Sequence, residues 1–201
     1  MDATLAPMRA EPSLIVGPGM ARALLCGRKT EQRVLVTCPL ARCRPGDRIW
    51  VREACIAARD EAGQEFATSR HKAEFVVFTD GWRHYRDGHD HIGPPLPNRE
   101  RRWIASVHMP RWASRITLAV DAVRRERLQA ITDHAIRAEG AVPVLGGMLW
   151  GWPRPIPGLH LRARHAFAKQ WNLTHCGPGE RWEDDPTVAV LRFHVERGHC
   201  D

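Results

Sequence analysis

Apolar and polar residues alternate along several short stretches of this chain, and residues typical of turns separate these stretches. Successive side chains of a strand point to opposite faces, so this alternation predicts half-buried strands, whereas apolar residues at helical spacing predict helices. Short strands combined with a few helices indicate an α+β fold arranged as a small mixed barrel. The predicted strands are residues 34–36, 48–53, 74–78, 115–121 and 187–196, and the predicted helices are residues 20–26, 133–139 and 161–173.

Individual residues mark the ends of two of these helices. Gly27 is predicted to cap the C-terminus of the first helix. Thr132 is predicted as the N-cap of the second, Ile131 and Ile136 are spaced for a hydrophobic staple, and Gly140 is predicted to end that helix. These signals predict defined chain reversals next to residues 28–33 and Glu139.

The chain is predicted to form a single domain, residues 1–201, because this length suits one full core. The core is predicted to span about residues 14–197. Residues 57–101 contain Gly, Pro, Asp and His in the proportions of loops, apart from the strand at 74–78, and residues 141–160 are rich in Pro and Gly. Both segments are therefore predicted to be loop insertions.

Composition excludes several classes of protein. No apolar run approaches the ~20 residues of a membrane span, and residues 1–10 do not resemble a signal peptide, so a cytoplasmic location without membrane association is expected. The six cysteines are then expected to be reduced. Neither they nor His84, His89 and His91 follow a common metal-ligand spacing, and we predict no metal and no cofactor.

The charge favours a polyanionic partner such as RNA, because the net charge is +7 and the pI is about 9.6. An alternative is an Arg-rich surface that reflects GC-rich codon usage, since only three of the 30 basic residues are lysines. Where the chain otherwise uses arginine, a retained lysine points to a need for its compact, tunable amine. Lys72 and Lys169 lie in polar surroundings, whereas Lys29 lies in a motif.

Two aromatic and basic clusters each have two interpretations. Arg48, Trp50 and Arg52 share one face of a predicted strand, where they could stack bases and hold phosphates. They could equally be arginine stems that pack over a half-buried tryptophan. Arg111 and Trp112 could clamp a base or phosphate at a pocket mouth, or form a structural plug.

Lys29 and Glu139 are the candidate catalytic residues. Glu139 lies beside the apolar stripe of its helix, and a carboxylate that is half buried there has to be paired, protonated or hydrogen-bonded. Lys29 lies in a turn between a helix and a strand, a position that often carries function. Together they could form a general acid-base couple, and Thr30 and Gln32 add a hydroxyl and an amide nearby.

Several segments, in order along the chain, resemble ASCH-domain proteins of phages and prophages. The run at 106–115, Ser-Val-His-Met-Pro-Arg-Trp-Ala-Ser-Arg, is very specific to that family. The other matching segments are residues 27–30 (Gly-Arg-Lys-Thr), 46–53, 126–131, 138–140, Trp171, 177–182 and the last strand.

The resemblance implies a PUA-like barrel, a fold associated with RNA. Some small ASCH proteins remove acyl groups from the N4 amine of cytidines, and another is a ribonuclease. The amidohydrolases use a lysine in the Gly-Arg-Lys-Thr turn, a threonine three residues later, and a glutamate just before the position of Gly140. The resemblance therefore implies catalytic roles for Lys29 and Glu139, with RNA or a modified pyrimidine nucleoside as the partner.

The chain departs from this pattern at one catalytic position. Gln32 stands three residues after Lys29, and an amide cannot be activated as a nucleophile in the way a hydroxyl can. Thr30 is the nearest hydroxyl and is a further catalytic candidate. Hydrolysis would then use a water activated by Glu139, or the protein would only bind.

Other residues near the motif are candidates for substrate binding. Arg28, Gln32 and Arg33 are predicted to contact the substrate, together with Arg111 and Trp112. The family usually carries a pair of arginines soon after the lysine, whereas here Arg33 is followed by a valine. Three functions are therefore open: a nucleoside-binding and hydrolytic domain, a non-catalytic RNA-binding module, and a phage accessory or assembly protein.

Overall fold

The computed structural model describes residues 11–94, 96, 102–153 and 158–197. These residues form an α+β domain, and the predicted fold class is confirmed at that level. The helices are α1 (Pro18–Leu25), α2 (Asp133–Ala138) and α3 (Ala163–Thr174). The strands are β1 (Ser13–Ile15), β2 (Glu31–Leu35), β3 (Arg48–Arg52), β4 (Cys55–Glu61), β5 (Gln64–Ala67), β6 (Phe75–Phe78), β7 (Trp82–Tyr85), β8 (Asp90–Ile92), β9 (Trp103–Ile104), β10 (Thr117–Arg127), β11 (Val142–Val144), β12 (Leu149–Gly151) and β13 (Thr187–Arg197).

The first sheet has the strand order β1-β3-β10-β13-β2. β1 runs parallel to β3, and the other pairs are antiparallel. The long strands β10 and β13 pair over almost their whole length, with a register shift between Val120 and Ala122. Within the described residues no ladder joins the two edge strands β1 and β2, so the sheet is open.

Both faces of this sheet are covered, whereas the alternation along its strands predicts only one buried face. Ile49, Val51 and Leu118 pack with α1 on one face. On the other face, Leu128 and Val190 pack against residues of α2 and α3. The predicted inward direction of the apolar residues in β3 and β10 is thereby confirmed, and the site described below lies between the sheet and these helices.

Residues 57–101 differ from the loop insertion that the sequence predicted. Most of the described part of this segment belongs to a second sheet with the order β5-β4-β6-β7-β8, in which β9 also pairs with β4. The strand predicted at 74–78 is present as β6, and Phe75, Val76, Val77 and Phe78 are all at most 3% exposed. The polar residue Arg83 is buried in the same sheet, which made the sequence resemble a loop.

The sequence prediction for residues 141–160 is also corrected. β11 and β12 form an antiparallel hairpin, and Trp150 pairs further with His160. Pro143 lies in β11, an edge strand that tolerates proline because one side of its backbone needs no ladder bond. The segment was predicted to lack regular structure because it is rich in proline, and the sequence did not show that its two halves pair.

The histidines of the second sheet do not form a metal site. His84 is buried and bonds Asp90 and the carbonyl of Trp112 through its two ring nitrogens, 2.5 and 3.1 Å away. The burial of His84 in β7 corrects the prediction of a solvated loop for that residue, whereas His89 and His91 stack near Tyr85 and are exposed to solvent, as predicted. No group of three or more potential metal ligands occurs in the described part of the chain. None of its helices is long and apolar enough to cross a bilayer.

Candidate functional site

The turn after α1 carries Lys29 into the interior. Gly27 adopts a φ of +65°, the left-handed conformation that commonly follows the last residue of a helix. The amides of Arg28 and Lys29 both donate to the carbonyl of Ala23, at 2.9 and 3.0 Å. The chain therefore folds back over the end of the helix, and Lys29 is only 3% exposed.

Glu139 is placed by the end of α2. It is the C-cap residue of that helix, and its amide donates to the carbonyl of Ala135. Gly140 follows with a φ of +107°, and a Cβ atom built there would lie 3.2 Å from the sulfur of Met20 and 3.7 Å from the Cβ of Lys29. A glycine at this position therefore allows the chain to pass close to Lys29, with Glu139 3% exposed.

The structure brings Lys29 and Glu139 together across 110 positions of sequence. The Lys29 Nζ donates to Glu139 Oε2 at 2.8 Å, to the Glu139 carbonyl at 3.0 Å and to the Glu31 carbonyl at 2.8 Å. An ammonium group has three protons, so each of them has an acceptor. This geometry holds Lys29 as a cation in a fixed direction.

The other carboxylate oxygen of Glu139 is bound to Arg33. Glu139 Oε1 accepts from the Arg33 amide at 2.6 Å and from its Nη1 at 3.1 Å. The guanidinium of Arg33 is 1% exposed, and its Nε and Nη2 bond Glu126 Oε1 at 3.0 and 2.7 Å. Both oxygens of Glu139 are therefore occupied by donors.

Two further residues complete a neutral cluster. Arg124 donates to both oxygens of Glu31, at 2.9 and 3.1 Å, and lies 3.1 Å from Glu126. Arg33 also lies 3.3 Å from Glu31. Three cations then balance three carboxylates, as burial of ion pairs requires. We call this set the charge network: Lys29, Glu31, Arg33, Arg124, Glu126 and Glu139.

The charge network changes the acidity of Glu31. Burial alone raises the pKa of its carboxyl, but hydrogen bonds and charges from Arg124 and Arg33 outweigh burial, and the net pKa is lowered. The folded state therefore binds a proton at Glu31 less readily than the unfolded chain does. The resulting stabilisation is present above the unfolded pKa and is lost as the pH falls through the folded pKa.

We expect Glu31→Gln to weaken the dependence of stability on acid. The free energy of unfolding should fall from about pH 5 to about pH 3 in the wild type, and this fall should be shallower in the variant because one lowered pKa has been removed. Urea titrations at a series of pH values measure it. The exposed Glu61→Gln is the control, and equal slopes in the Glu31 variant and the wild type would contradict the prediction.

Lys29 and Glu139 lie in the wall of a cavity of about 620 Å³, which we call the Lys29 pocket. This volume is within the usual range for small-molecule sites. Its polar wall also contains Gln32 and Arg33, and its ionisable lining residues in the described part of the chain are Lys29, Arg33, Glu139 and His175. The remaining lining is Leu14, Ile15, Val16, Gly17, Met20, Trp152, Pro153, Phe167, Gln170, Trp171, Leu173 and Thr174.

Aromatic rings from α3 and its neighbours form the opposite wall. Trp171 and His175 stack with ring centres 3.8 Å apart and an interplanar angle of 8°. Phe167 lies 6.2 Å from Trp171 and 5.9 Å from Trp152. The buried Trp152 Nε1 has no hydrogen-bond acceptor among the described residues. This wall suits a planar ligand.

The sequence did not identify this aromatic wall as part of a site. Phe167 and Trp171 were predicted only as the apolar stripe of the helix, which they also are, since both are at most 4% exposed. Their helical spacing with Gln170 and Thr174 places all four on one face, which was the available signal. Which element that face would meet could not be read from the spacing.

Thr30 and Arg28 do not line the Lys29 pocket. The Thr30 amide donates to the carbonyl of Ala138, and its own carbonyl accepts from the amide of Phe193, so its backbone is held on both sides. Thr30 and Arg28 instead line a separate depression of about 410 Å³. The predicted catalytic role of Thr30 therefore finds no support in the lining of the Lys29 pocket.

Arg111 and Trp112 also lie outside the lining of the Lys29 pocket. Arg111 pairs with Glu11 at 2.7 Å. Trp112 is half-buried in a core cluster of the second sheet, with the guanidinium of Arg86 4.2 Å above its ring. The plug interpretation agrees with this placement of Trp112, and the clamp at the pocket mouth is corrected.

The Arg48, Trp50 and Arg52 face is packed against neighbouring groups. The guanidinium of Arg52 lies 4.8 Å from the ring centre of the half-buried Trp50, and its Nη2 donates to the carbonyl of Val107. Arg48 pairs with Glu196 at 2.5 Å. These contacts match the interpretation of arginine stems packed over a tryptophan.

Comparisons of the chain with protein-family models, with curated proteins and with solved structures found no match. The functional argument therefore depends on the Lys29 pocket itself.

Proposed function

We propose that this protein is an ASCH-type domain that binds a modified pyrimidine nucleoside in the Lys29 pocket and hydrolyses the acyl amide on its N4 amine. The observation that carries the proposal is the buried pair of Lys29 and Glu139, 2.8 Å apart, in the wall of a cavity of about 620 Å³. In the proteins that the motifs resemble, a lysine and a glutamate at these positions act on such amides.

The shape and polarity of the pocket support a base-like ligand. A pyrimidine is planar, and the stacked rings of Trp171 and His175 offer it an apolar surface. On the other side Gln32 offers an amide, whose Nε2 bonds the carbonyl of Arg33 at 2.8 Å. Small-molecule sites commonly fix the orientation of a ligand in this way, with a few polar groups in a mostly apolar pocket.

In the hydrolytic reaction Lys29 exchanges one of its three hydrogen bonds for one to the carbonyl oxygen of the acyl group, and so polarises that carbonyl. A cation that is already oriented stabilises the charge that develops on this oxygen in the transition state. Glu139 holds Lys29 in that direction, and Arg33 and Glu126 hold Glu139. The sequence had assigned Glu139 as the base, but with both oxygens occupied it acts in this proposal as a positioning residue.

The finer fold assignment is part of the same proposal. We propose that the first sheet, with α1 and α2 packed on it, is a PUA-like barrel that is open between β1 and β2. Both of these edges line the Lys29 pocket. The β1 edge contributes Leu14, Ile15 and Val16, and the β2 edge contributes Gln32 and Arg33. The opening of the barrel would then be the entrance for the ligand.

A nucleoside is a better candidate than a polynucleotide. The cations of the pocket are already neutralised by the charge network, and the arginines around Trp50 are bonded to carboxylates or carbonyls. Nucleic-acid binding depends on cations that can release phosphate counterions. RNA binding and ribonuclease activity remain alternatives from the resemblance, without a specific contact in their favour.

We expect the wild-type protein to bind cytidine and to convert N4-acetylcytidine into cytidine and acetate. Binding should shift the indole NMR signals of Trp152 and Trp171, assigned by single Trp→Phe variants, and not the signal of Trp103, which lies outside the pocket. Chromatography of the reaction measures cytidine release. A protein that shows neither the indole shifts nor the release would overturn the proposed function.

A further inference from the structure

Among the ionisable lining residues of the Lys29 pocket in the described chain, one is not a member of the charge network. The Lys29 ammonium has three acceptors, Arg33 is a permanent cation, and both oxygens of Glu139 are bound to donors. Among the ionisable lining residues of the described chain this leaves His175. Hydrolysis by water needs a base, because Gln32 replaces the family's threonine nucleophile.

The backbone of α3 fixes the tautomer of His175. Its Nδ1 lies 3.0 Å from the carbonyl of Trp171 and 3.0 Å from the hydroxyl of Thr174. The carbonyl only accepts, and the hydroxyl itself donates to that carbonyl at 3.2 Å, so Nδ1 carries the proton. In a neutral imidazole the other nitrogen, Nε2, then has the lone pair. No described residue bonds Nε2, and stacking on Trp171 fixes the plane of the ring.

We propose that His175 is the general base of the reaction, which is an inference that rests on the proposed function. His175 Nε2 takes a proton from a water molecule as the water oxygen bonds to the acyl carbon, and the negative charge forms on the oxygen next to Lys29. When this intermediate collapses, the C–N bond breaks and the N4 nitrogen takes the proton from His175. Cytidine and a carboxylic acid leave, and the acid loses its proton to solvent.

Several charged groups surround His175, and its role as a base predicts how kcat/KM depends on pH. Three charged residues share the pocket with His175: Lys29 before β2, Arg33 in β2 and Glu139 after α2. The lining residues from β1 and from Trp152–Pro153 are uncharged. On the segment after α3, Glu180 turns its carboxylate toward the amide of Gly177. Protonation of a general base removes its lone pair, so kcat/KM should fall on the acid side.

The variant His175→Asn tests this role. The asparagine amide can donate to the Trp171 carbonyl in place of Nδ1, but it cannot act as a base. We expect kcat/KM for N4-acetylcytidine to fall about 100-fold or more, the acid limb of the pH profile to disappear, and the Tm to stay unchanged. The affinity for cytidine, which stacks against this ring, should fall by much less than kcat/KM. His165→Asn, an exposed residue of the same helix, is the control and should behave as the wild type.

The possible outcomes separate the two proposals. Wild-type turnover that persists in His175→Asn with its acid limb intact overturns the role of His175 and leaves the proposed function standing. A fall in kcat/KM no larger than the fall in cytidine affinity shows a binding residue, and a fall that comes with a loss of Tm shows a structural residue; either result overturns the role. A wild type without turnover overturns both the hydrolysis and its base, while cytidine binding by that protein would preserve the binding part of the proposed function.

Discussion

Replacement of Lys29 by methionine should reduce turnover of N4-acetylcytidine by about 100- to 1,000-fold, the usual effect of losing a donor to a developing oxyanion. Methionine fills a similar volume but donates no hydrogen bond. The carbonyls of Glu31 and Glu139, which now bond the ammonium, would also lose their donor. The rate constants are to be measured by chromatography at a temperature where circular dichroism shows the variant folded.

Two further variants distinguish chemistry from folding. Lys29→Arg keeps the positive charge, but its planar fork cannot direct three protons at the three acceptors of Lys29, so we expect slow turnover in a folded protein. Lys72→Met removes an exposed lysine and should retain the wild-type rate. Turnover within three-fold of the wild type in both Lys29 variants would exclude Lys29 from the reaction.

The stability of Lys29→Met should fall as well. Removing one member of a buried pair commonly costs about 3–5 kcal/mol, although Arg33 continues to bond Glu139 and should reduce this loss. The coupling between the pair is measured by comparing Lys29→Met, Glu139→Gln and the double variant in urea titrations. A coupling near zero would show that the charge network does not act as a unit.

Local signals in the sequence predicted the parts of the fold that depend on neighbouring residues. The Thr132 hydroxyl accepts from the amide of Ala135 at 3.2 Å, as an N-cap does. Gly27 and Gly140 take the left-handed conformations expected at helix ends. Each of these features is decided within a few residues, so composition and spacing are sufficient to find it.

The second sheet was missed because its burial depends on distant partners. Arg83 is 1% exposed since its guanidinium bonds Glu65 at 2.5 Å and the carbonyls of Gly81 and Pro94 at 2.7 Å. A sequence shows such an arginine as a polar residue that interrupts a strand. Hydrophobic alternation therefore fails where ion pairs replace apolar contacts.

The candidate site was predictable only in its two central residues. Lys29 was singled out by the scarcity of lysine and by the family resemblance, and Glu139 by its position on a helix. Glu126, 93 positions from Arg33, joins the site only through the register of β2, β13 and β10. His175 follows a helix that was predicted, but its place in the pocket depends on how that helix packs.

Replacement of Glu53 by glutamine is expected to destabilise the protein more than the removal of any exposed ion pair. Arg115 donates from Nε and Nη2 to the two oxygens of Glu53 at 2.9 and 2.8 Å, and the two side chains are 5% and 4% exposed. The same guanidinium reaches Asp80 at 2.8 Å and lies 4.0 Å from the ring centre of Phe78. This pair therefore joins the first sheet to the second.

The expected cost follows from the burial of the charge that remains. Without the carboxylate of Glu53, Arg115 would keep only Asp80, whose side chain is 45% exposed, so a loss of about 3–5 kcal/mol in the free energy of unfolding is expected. The control is Glu196→Gln, which breaks the pair with Arg48, a residue 60% exposed, and should cost at most about 1 kcal/mol.

Urea unfolding of the wild type and the two variants compares these losses directly, and Arg115→Lys adds a test of geometry. A lysine keeps the charge but not the bidentate contact, so it should restore only part of the stability lost by an Arg115→Met variant. Both Glu53 and Arg115 lie in the segments that resemble ASCH proteins, and neither lines the Lys29 pocket. Equal losses in the free energy of unfolding of the Glu53 and Glu196 variants would show that Glu53 and Arg115 do not join the two sheets.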